Sequence, residues 1–87
     1  SLLRKVREAQ NNNVRVMWDE KQKDGTWVRF FGFITSVQET NQLGGPRASR
    51  PFSTTVTIEE ICLMNADGKL ISDVIPLGGI KDEKNFS

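Results

Sequence analysis

The chain contains no histidine, no tyrosine and one cysteine, Cys62, among its 87 residues. A single cysteine excludes an internal disulfide, and without histidine the chain lacks the usual ligands of a zinc site. Neither Cys62 nor any serine stands near a recognisable base motif, so a nucleophile and its base would have to be built from lysines and carboxylates alone. We therefore expect a non-catalytic protein with no metal and no cofactor.

Long apolar runs are also missing, because the longest is a few residues and a transmembrane helix needs roughly 20. The first residues show no signal-peptide pattern. With one unpaired cysteine, these features favour an intracellular, reducing compartment, either nuclear or cytoplasmic. The chain begins at Ser1 instead of Met, which suggests a domain excised from a longer protein. Its length supports one domain, residues 1–87, with a small core.

An excess of one charge is absent too. The chain carries 12 basic and 11 acidic residues, for a formal net charge of +1. Binding to nucleic acid would therefore depend on local patches and not on a strong overall field.

The first ten residues have helical periodicity. Ser1 is a suitable N-cap, and the three asparagines 11–13 favour a turn that ends the helix. The apolar residues that share one helical face are Leu2, Leu3, Val6 and Ala9. We predict a helix over residues 1–10.

Alternation with a period of two follows, which predicts strands. The first strand starts at Val14, and the second is long and carries Gly32 at its centre, where a bend or bulge is favoured. A third strand over residues 54–64 has an alternation that slips at Glu59-Glu60, which indicates a bulge. Asp-Gly turns at 24–25 and 67–68 join neighbouring strands. We predict a fourth strand over 69–77, ended by Pro76 and Gly78-Gly79, and then a fifth strand or a tail from Ile80 to Phe86.

Residues 38–53 form the longest polar segment and predict a flexible loop. The overall pattern is mainly β: a short N-terminal helix and then a strongly bent, four- or five-stranded antiparallel small barrel of the Sm-like, OB or SH3-like kind.

Candidate partner-contact residues fall in two groups. The long loop carries two arginines and a phenylalanine at its exit, which suit phosphate contact and base stacking or an acidic partner. The long second strand carries aromatic rings on both faces, so one set must be exposed or covered by a partner. The basic residues Arg4, Lys5, Arg7, Arg15 and Arg29 can either extend a basic surface or be scattered solubilising charges. The candidates are Arg47, Arg50, Phe52, Trp27, Phe31, Phe33 and Arg29.

The pattern resembles the Sm/LSm family in the run Phe30-Phe31-Gly32-Phe33-Ile34-Thr35-Ser36-Val37 and in Leu77-Gly78-Gly79-Ile80. The resemblance implies the fold and association through the edge strands of the barrel. The sequence departs from the family at its RNA-contacting positions, where Gln38, Gln42 and Leu77-Gly78 stand. The resemblance therefore implies a protein-assembly module in a nuclear ribonucleoprotein or chromatin complex, with self-association as one form, more than a uridine pocket.

Two other functions remain open from the residues alone. An OB-type barrel that binds single-stranded nucleic acid would use Arg47, Arg50 and Phe52 with the exposed rings of the second strand. A Tudor-like reader of a modified peptide would need an aromatic cage built from tryptophan and phenylalanine.

Overall fold

The computed structural model describes residues 1–40 and 51–86. These residues form one helix and four strands: α1 (Leu2–Asn11), β1 (Val16–Lys21), β2 (Trp27–Glu39), β3 (Phe52–Met64) and β4 (Ile75–Phe86). The strands pair antiparallel in the order β1-β2-β3-β4. The prediction of a mainly β domain that begins with a short helix is confirmed. In the part of the chain that is described, no helix has the length and apolar character needed to cross a membrane.

Helix α1 is capped as the sequence predicts. The Ser1 hydroxyl accepts a hydrogen bond from the backbone N–H of Arg4 at 3.3 Å, and Asn13 leaves the helix with a φ of 50°. The backbone N–H of Val14 still bonds to the Ala9 carbonyl at 3.0 Å. Because Val14 is held at the helix end in this way, β1 begins two residues later than predicted, at Val16.

The bend in the sheet is centred on Gly32. The register between β2 and β3 shifts between Phe31 and Gly32, because Phe31 is opposite Glu60 whereas Gly32 is opposite Ile58. Glu59 is therefore an extra residue in β3, and the predicted bulge is confirmed. A Cβ atom on Gly32 would overlap the carbonyl oxygen of Thr57, so only glycine allows β3 to approach β2 this closely.

One face of the sheet, which we call the inner face, carries Val16, Trp18, Phe30, Ile34 and Val56. The register supports this grouping, since Trp18 lies opposite Phe30 and Ile34 lies opposite Val56. Helix α1 covers one end of this face through Val6, its buried residue. Strand β3 supplies most of the buried side chains of the described chain, which are Val6, Phe52, Thr54, Val56, Ile58, Cys62 and Met64.

The fourth strand differs from the prediction. It runs over Ile75–Phe86 and includes Pro76 and both glycines that were expected to end it. Gly78 and Gly79 have φ values of 71° and 84°, so they let β4 follow the bulge in β3 and continue beyond it. Pro76 is tolerated because it lies near the start of an edge strand, where an N–H group can be missing.

The predicted barrel is not closed over residues 1–40 and 51–86. β4 pairs with β3 along residues 80–86, so this stretch is neither a separate fifth strand nor a tail. β1 and β4 remain the two edges of a four-stranded sheet.

Replacing Gly32 with alanine tests how far the fold depends on the bend. We expect the free energy of unfolding to fall by about 3 kcal/mol, because the added methyl group overlaps backbone atoms that cannot move without breaking the β2–β3 pairing. Urea denaturation measures the change. Gly25→Ala is the control, because Gly25 has open space around it and a φ of 89°, so the substitution should cost about 1 kcal/mol from the backbone conformation alone. Equal losses in the two variants would contradict the steric role of Gly32.

Candidate functional site: the seam between the edge strands

The two edge strands approach each other on the inner face. β1 and β4 are at opposite ends of the strand order, yet Glu20 Oε1 in β1 lies 2.7 Å from Lys84 Nζ in β4. The bend in β2 and β3 brings the edges this close, and their contact is between side chains. We call the gap between β1 and β4 the seam.

A cavity of about 440 Å³ opens at the seam beneath α1. Its apolar lining comes from the helix and from all four strands. Lys5, Glu20, Lys84 and Asn85 add polar groups. The main apolar lining residues are Val6, Val16, Trp18, Ile34, Val56 and Phe86. This volume is in the range of protein cavities that accept a ligand or several side chains of a partner.

Lys84 links the two sides of the seam. Its ammonium group bonds to Glu20 at 2.7 Å and to Asp82 Oδ2 at 3.1 Å, and it lies 5.1 Å from the centroid of the Phe30 ring. Burial alone lowers the pKa of Lys84, but the hydrogen bonds to Glu20 and Asp82 outweigh burial and raise that pKa above 10.5. The hydrogen bond from Lys84 likewise lowers the pKa of Asp82 below 3.8. Lys84 and Asp82 are therefore both charged at neutral pH.

Trp18 extends this arrangement along β1. Its indole N–H donates to Glu20 Oε1 at 3.1 Å, and its ring stacks on Phe30 with centroids 5.3 Å apart. The indole is thus held at its N–H group and on its ring face. The residue is half-buried, so part of its surface is still accessible. Trp18 therefore lies where any molecule in the seam would contact it.

The opposite face, which we call the outer face, carries Trp27, Arg29, Phe31 and Phe33, as the alternation predicts. Arg29 makes two hydrogen bonds to Asp19, at 2.8 and 3.0 Å, and the first of these lowers the pKa of Asp19 below 3.8. The three aromatic residues on this face are half-buried. They are a partly covered surface and not a fully exposed stacking platform.

Arg15 covers one of these rings. Its guanidinium lies 4.7 Å from the centroid of the Phe31 ring and forms an ion pair with Glu60. The cation and its carboxylate partner occupy space that a stacked base would need, so Phe31 is only partly available to a ligand.

Phe52 is a correction. It was expected at the exit of the long loop, where its ring could stack on a base, but it is only 6% exposed. Its ring stacks on Phe86 with centroids 4.8 Å apart, because the terminal residues of β3 and β4 pair with each other. Phe52 therefore belongs to the core. Arg47 and Arg50 lie outside the described residues.

The arginines that could extend a basic surface or be scattered charges each have an acidic neighbour. Arg4 pairs with Glu8 at 3.3 Å and Arg7 with Glu39 at 2.7 Å, while Arg15 and Arg29 pair with the carboxylates given above. Each of these arginines is next to a negative charge, so together they do not form a continuous basic patch. Within the described ranges, acidic, histidine and cysteine side chains form no cluster of three or more that would suit a metal ion.

Glu20 and Lys84, the two seam residues, are not among the residues predicted from the sequence. Lys84 lies in the segment interpreted as a fifth strand or a tail, and the polar side chain of Glu20 gives no local sign of a site. The length of β3 is one signal that Lys84 belongs to a strand. A strand of 13 residues needs a neighbouring strand of similar length to pair its backbone N–H and C=O groups.

The Asp19–Arg29 pair predicts a pH dependence of stability. A carboxylate whose pKa is lowered by folding stabilises the folded state above its ordinary pKa of 3.8, and this contribution is lost as the pH falls through the lowered pKa. We expect wild type to be more stable than Asp19→Asn at pH 6, and the difference in unfolding free energy to shrink below about pH 4. Urea denaturation across this range measures it. A difference that stays constant with pH would contradict the role of the pair, and high salt should reduce the difference at pH 6.

Comparison with known proteins returns no match among family models, curated sequences or solved structures. The resemblance to the Sm/LSm family therefore stays a prediction.

Proposed function

We propose that this domain is a non-catalytic interaction module that assembles with another protein through the edges of its sheet. The observation that carries the proposal is the pair of edge strands, β1 and β4, which the described residues leave unpaired beside an apolar cavity. Unpaired N–H and C=O groups at a sheet edge are a template for strand addition, and a cavity beside the edge gives specificity for the added side chains.

The two edges differ in how well they suit such pairing. The second half of β4 contains four consecutive charged residues, Lys81 to Lys84, and charges on an edge strand discourage pairing with other chains. β1 begins instead with Val16-Met17-Trp18, and the Met17 side chain is exposed. Residues 19–21 of β1 are also charged, so the more receptive part of the two edges is the first half of β1.

The resemblance to the Sm/LSm family directs the proposal to a larger assembly. In that reading the domain works within a nuclear ribonucleoprotein or chromatin complex, and association at the edges would complete the barrel that the sequence pattern suggests. The support in this chain is the curvature at Gly32 and the facing edges, which are the features a closing strand requires.

Two observations disfavour single-stranded nucleic acid as the primary ligand. Arg4, Arg7, Arg15 and Arg29 are each paired with a carboxylate, so these four arginines are less available to replace the counterions of a phosphate backbone. Phe52, expected to stack on a base, is buried.

The Tudor-like alternative meets a related obstacle, because Lys84 already occupies the Phe30 ring face that a methylated cation would need.

Selection on the purified domain tests the proposal. A library of random displayed peptides and a pool of mixed single-stranded RNA are each passed over the immobilised domain at low and at high salt. We expect peptides to be enriched at both salt concentrations, because strand pairing and apolar burial are little screened, and RNA to be retained weakly and only at low salt.

Failure to enrich any peptide would overturn the proposal, whether or not RNA is retained. Met17→Lys supplies a variant of the β1 edge, which should reduce peptide capture because it places a charge on the receptive edge. Ile71→Lys is its matched control, since Ile71 is similarly exposed but lies outside the strands. Equal loss in both variants would point to general apolar adhesion instead of edge pairing.

A further inference from the structure

We infer that the seam receives one extended segment of a partner protein, which lies between β1 and β4 and pairs with both. This inference rests on the proposed function and specifies where and how the partner binds. It is carried by the unpaired strand edge on each side of the seam and by the chemistry of its lining.

The strand pairing leaves the seam open. β1 and β4 each have one neighbour in the described sheet, and the contact between them is the ion pair of the Glu20 and Lys84 side chains at 2.7 Å. Their backbone edges are therefore available to a strand that enters between them.

The inserted element must be a single segment without neighbours of its own. A strand in the seam has β1 on one side and β4 on the other, so both of its backbone edges are used. Each described strand of a second copy already pairs with at least one neighbour and would have to leave its own sheet. A helix does not suit this role, because its backbone N–H and C=O groups are hydrogen-bonded within the helix and cannot pair with β1 and β4.

The lining determines the side chains that the segment carries. The cavity beneath the seam is walled by Val16, Trp18, Ile34, Val56 and Phe86, so alternate side chains of the segment, those that face inward, are apolar. The charged stretches of β1 and β4 that border the seam, residues 19–21 and 81–84, hold four acidic and three basic side chains. Because these charges nearly cancel, the border of the seam favours a segment with little net charge over a polyanion.

The contact area is sufficient for specific binding. β1 has six residues, and a six-residue strand covered on both edges and one face buries about 600 Å² on each partner, or about 1,200 Å² in total, which is the lower end of the range for stable interfaces. The contact would also stabilise the domain, because none of its described large side chains is fully buried in the free state. A bound segment would finish the burial of Trp18 and Phe30.

The fluorescence of Trp18 provides a direct test. Trp27→Phe leaves Trp18 as the single tryptophan, and the probes are synthetic peptides from the selection described above. We expect these peptides to have apolar residues at alternate positions, to shift the Trp18 emission to shorter wavelength and to slow amide hydrogen exchange in both β1 and β4. Slower amide exchange in both strands distinguishes insertion into the seam from pairing at one edge, which would slow exchange in one strand only.

A variant of the cavity wall supplies an independent measurement. Ala9→Lys places a long side chain into the cavity from α1 without changing the sheet, and we expect peptide affinity to fall by about tenfold or more. Asn11→Lys is the matched control, because it adds the same charge to an exposed position of the same helix and should leave affinity unchanged. A thermal melt of each variant shows that both are folded.

The outcomes separate this inference from the proposed function. Peptides that bind without changing Trp18 emission, or that protect only one edge, would overturn insertion into the seam but leave interaction at the edges standing. Absence of peptide binding overturns both. If instead the domain self-associates in light scattering and the Trp18 shift follows its own concentration without peptide, the occupant is a second copy and the inference is wrong.

Discussion

The close approach of β3 to Gly32 is the constraint on which the rest of the structure depends. The strand pair is close here because Gly32 has no side chain and because Glu59 adds one residue to β3 at the same level. The extra residue lengthens one strand relative to its neighbour, so the sheet bends instead of remaining flat. Without this bend, β1 and β4 would be distant edges, and neither the Glu20–Lys84 contact nor the cavity under α1 would exist.

Charge is distributed differently on the two faces of the bent sheet. On the outer face, ion pairs such as Asp19–Arg29 and Arg15–Glu60 are exposed enough to be screened by water, and each contributes little to stability. On the inner face, Lys84 is only 19% exposed and is held by two carboxylates and an aromatic ring. A partly buried charge needs several partners because it loses much of its hydration. The inner network therefore fixes a geometry, whereas the outer pairs mainly balance charge.

Local signals predicted the parts of the fold that depend on neighbouring residues. Ser1 as a cap, the asparagines after the helix and the slip at Glu59-Glu60 each act within a few residues, so the sequence shows them directly. The extent of β4 was not predictable in this way, because Pro76 and Gly78-Gly79 have the same local appearance whether they end a strand or carry it past a bulge. The burial of Phe52 and the Glu20–Lys84 contact depend on residues distant in sequence, which periodicity does not report.

The strand order has a consequence for how the chain folds. The strands β1 to β4 follow one another in space as they do in sequence. Each strand therefore pairs with the strand that precedes it in the chain, as in a series of hairpins. Such near-neighbour contacts have a low entropic cost of loop closure and favour rapid folding. The contact between Glu20 and Lys84 joins the first strand to the last and needs the whole bent sheet to be in place. We therefore expect the open sheet to form before its edges meet, so that the step that shapes the seam comes late in folding.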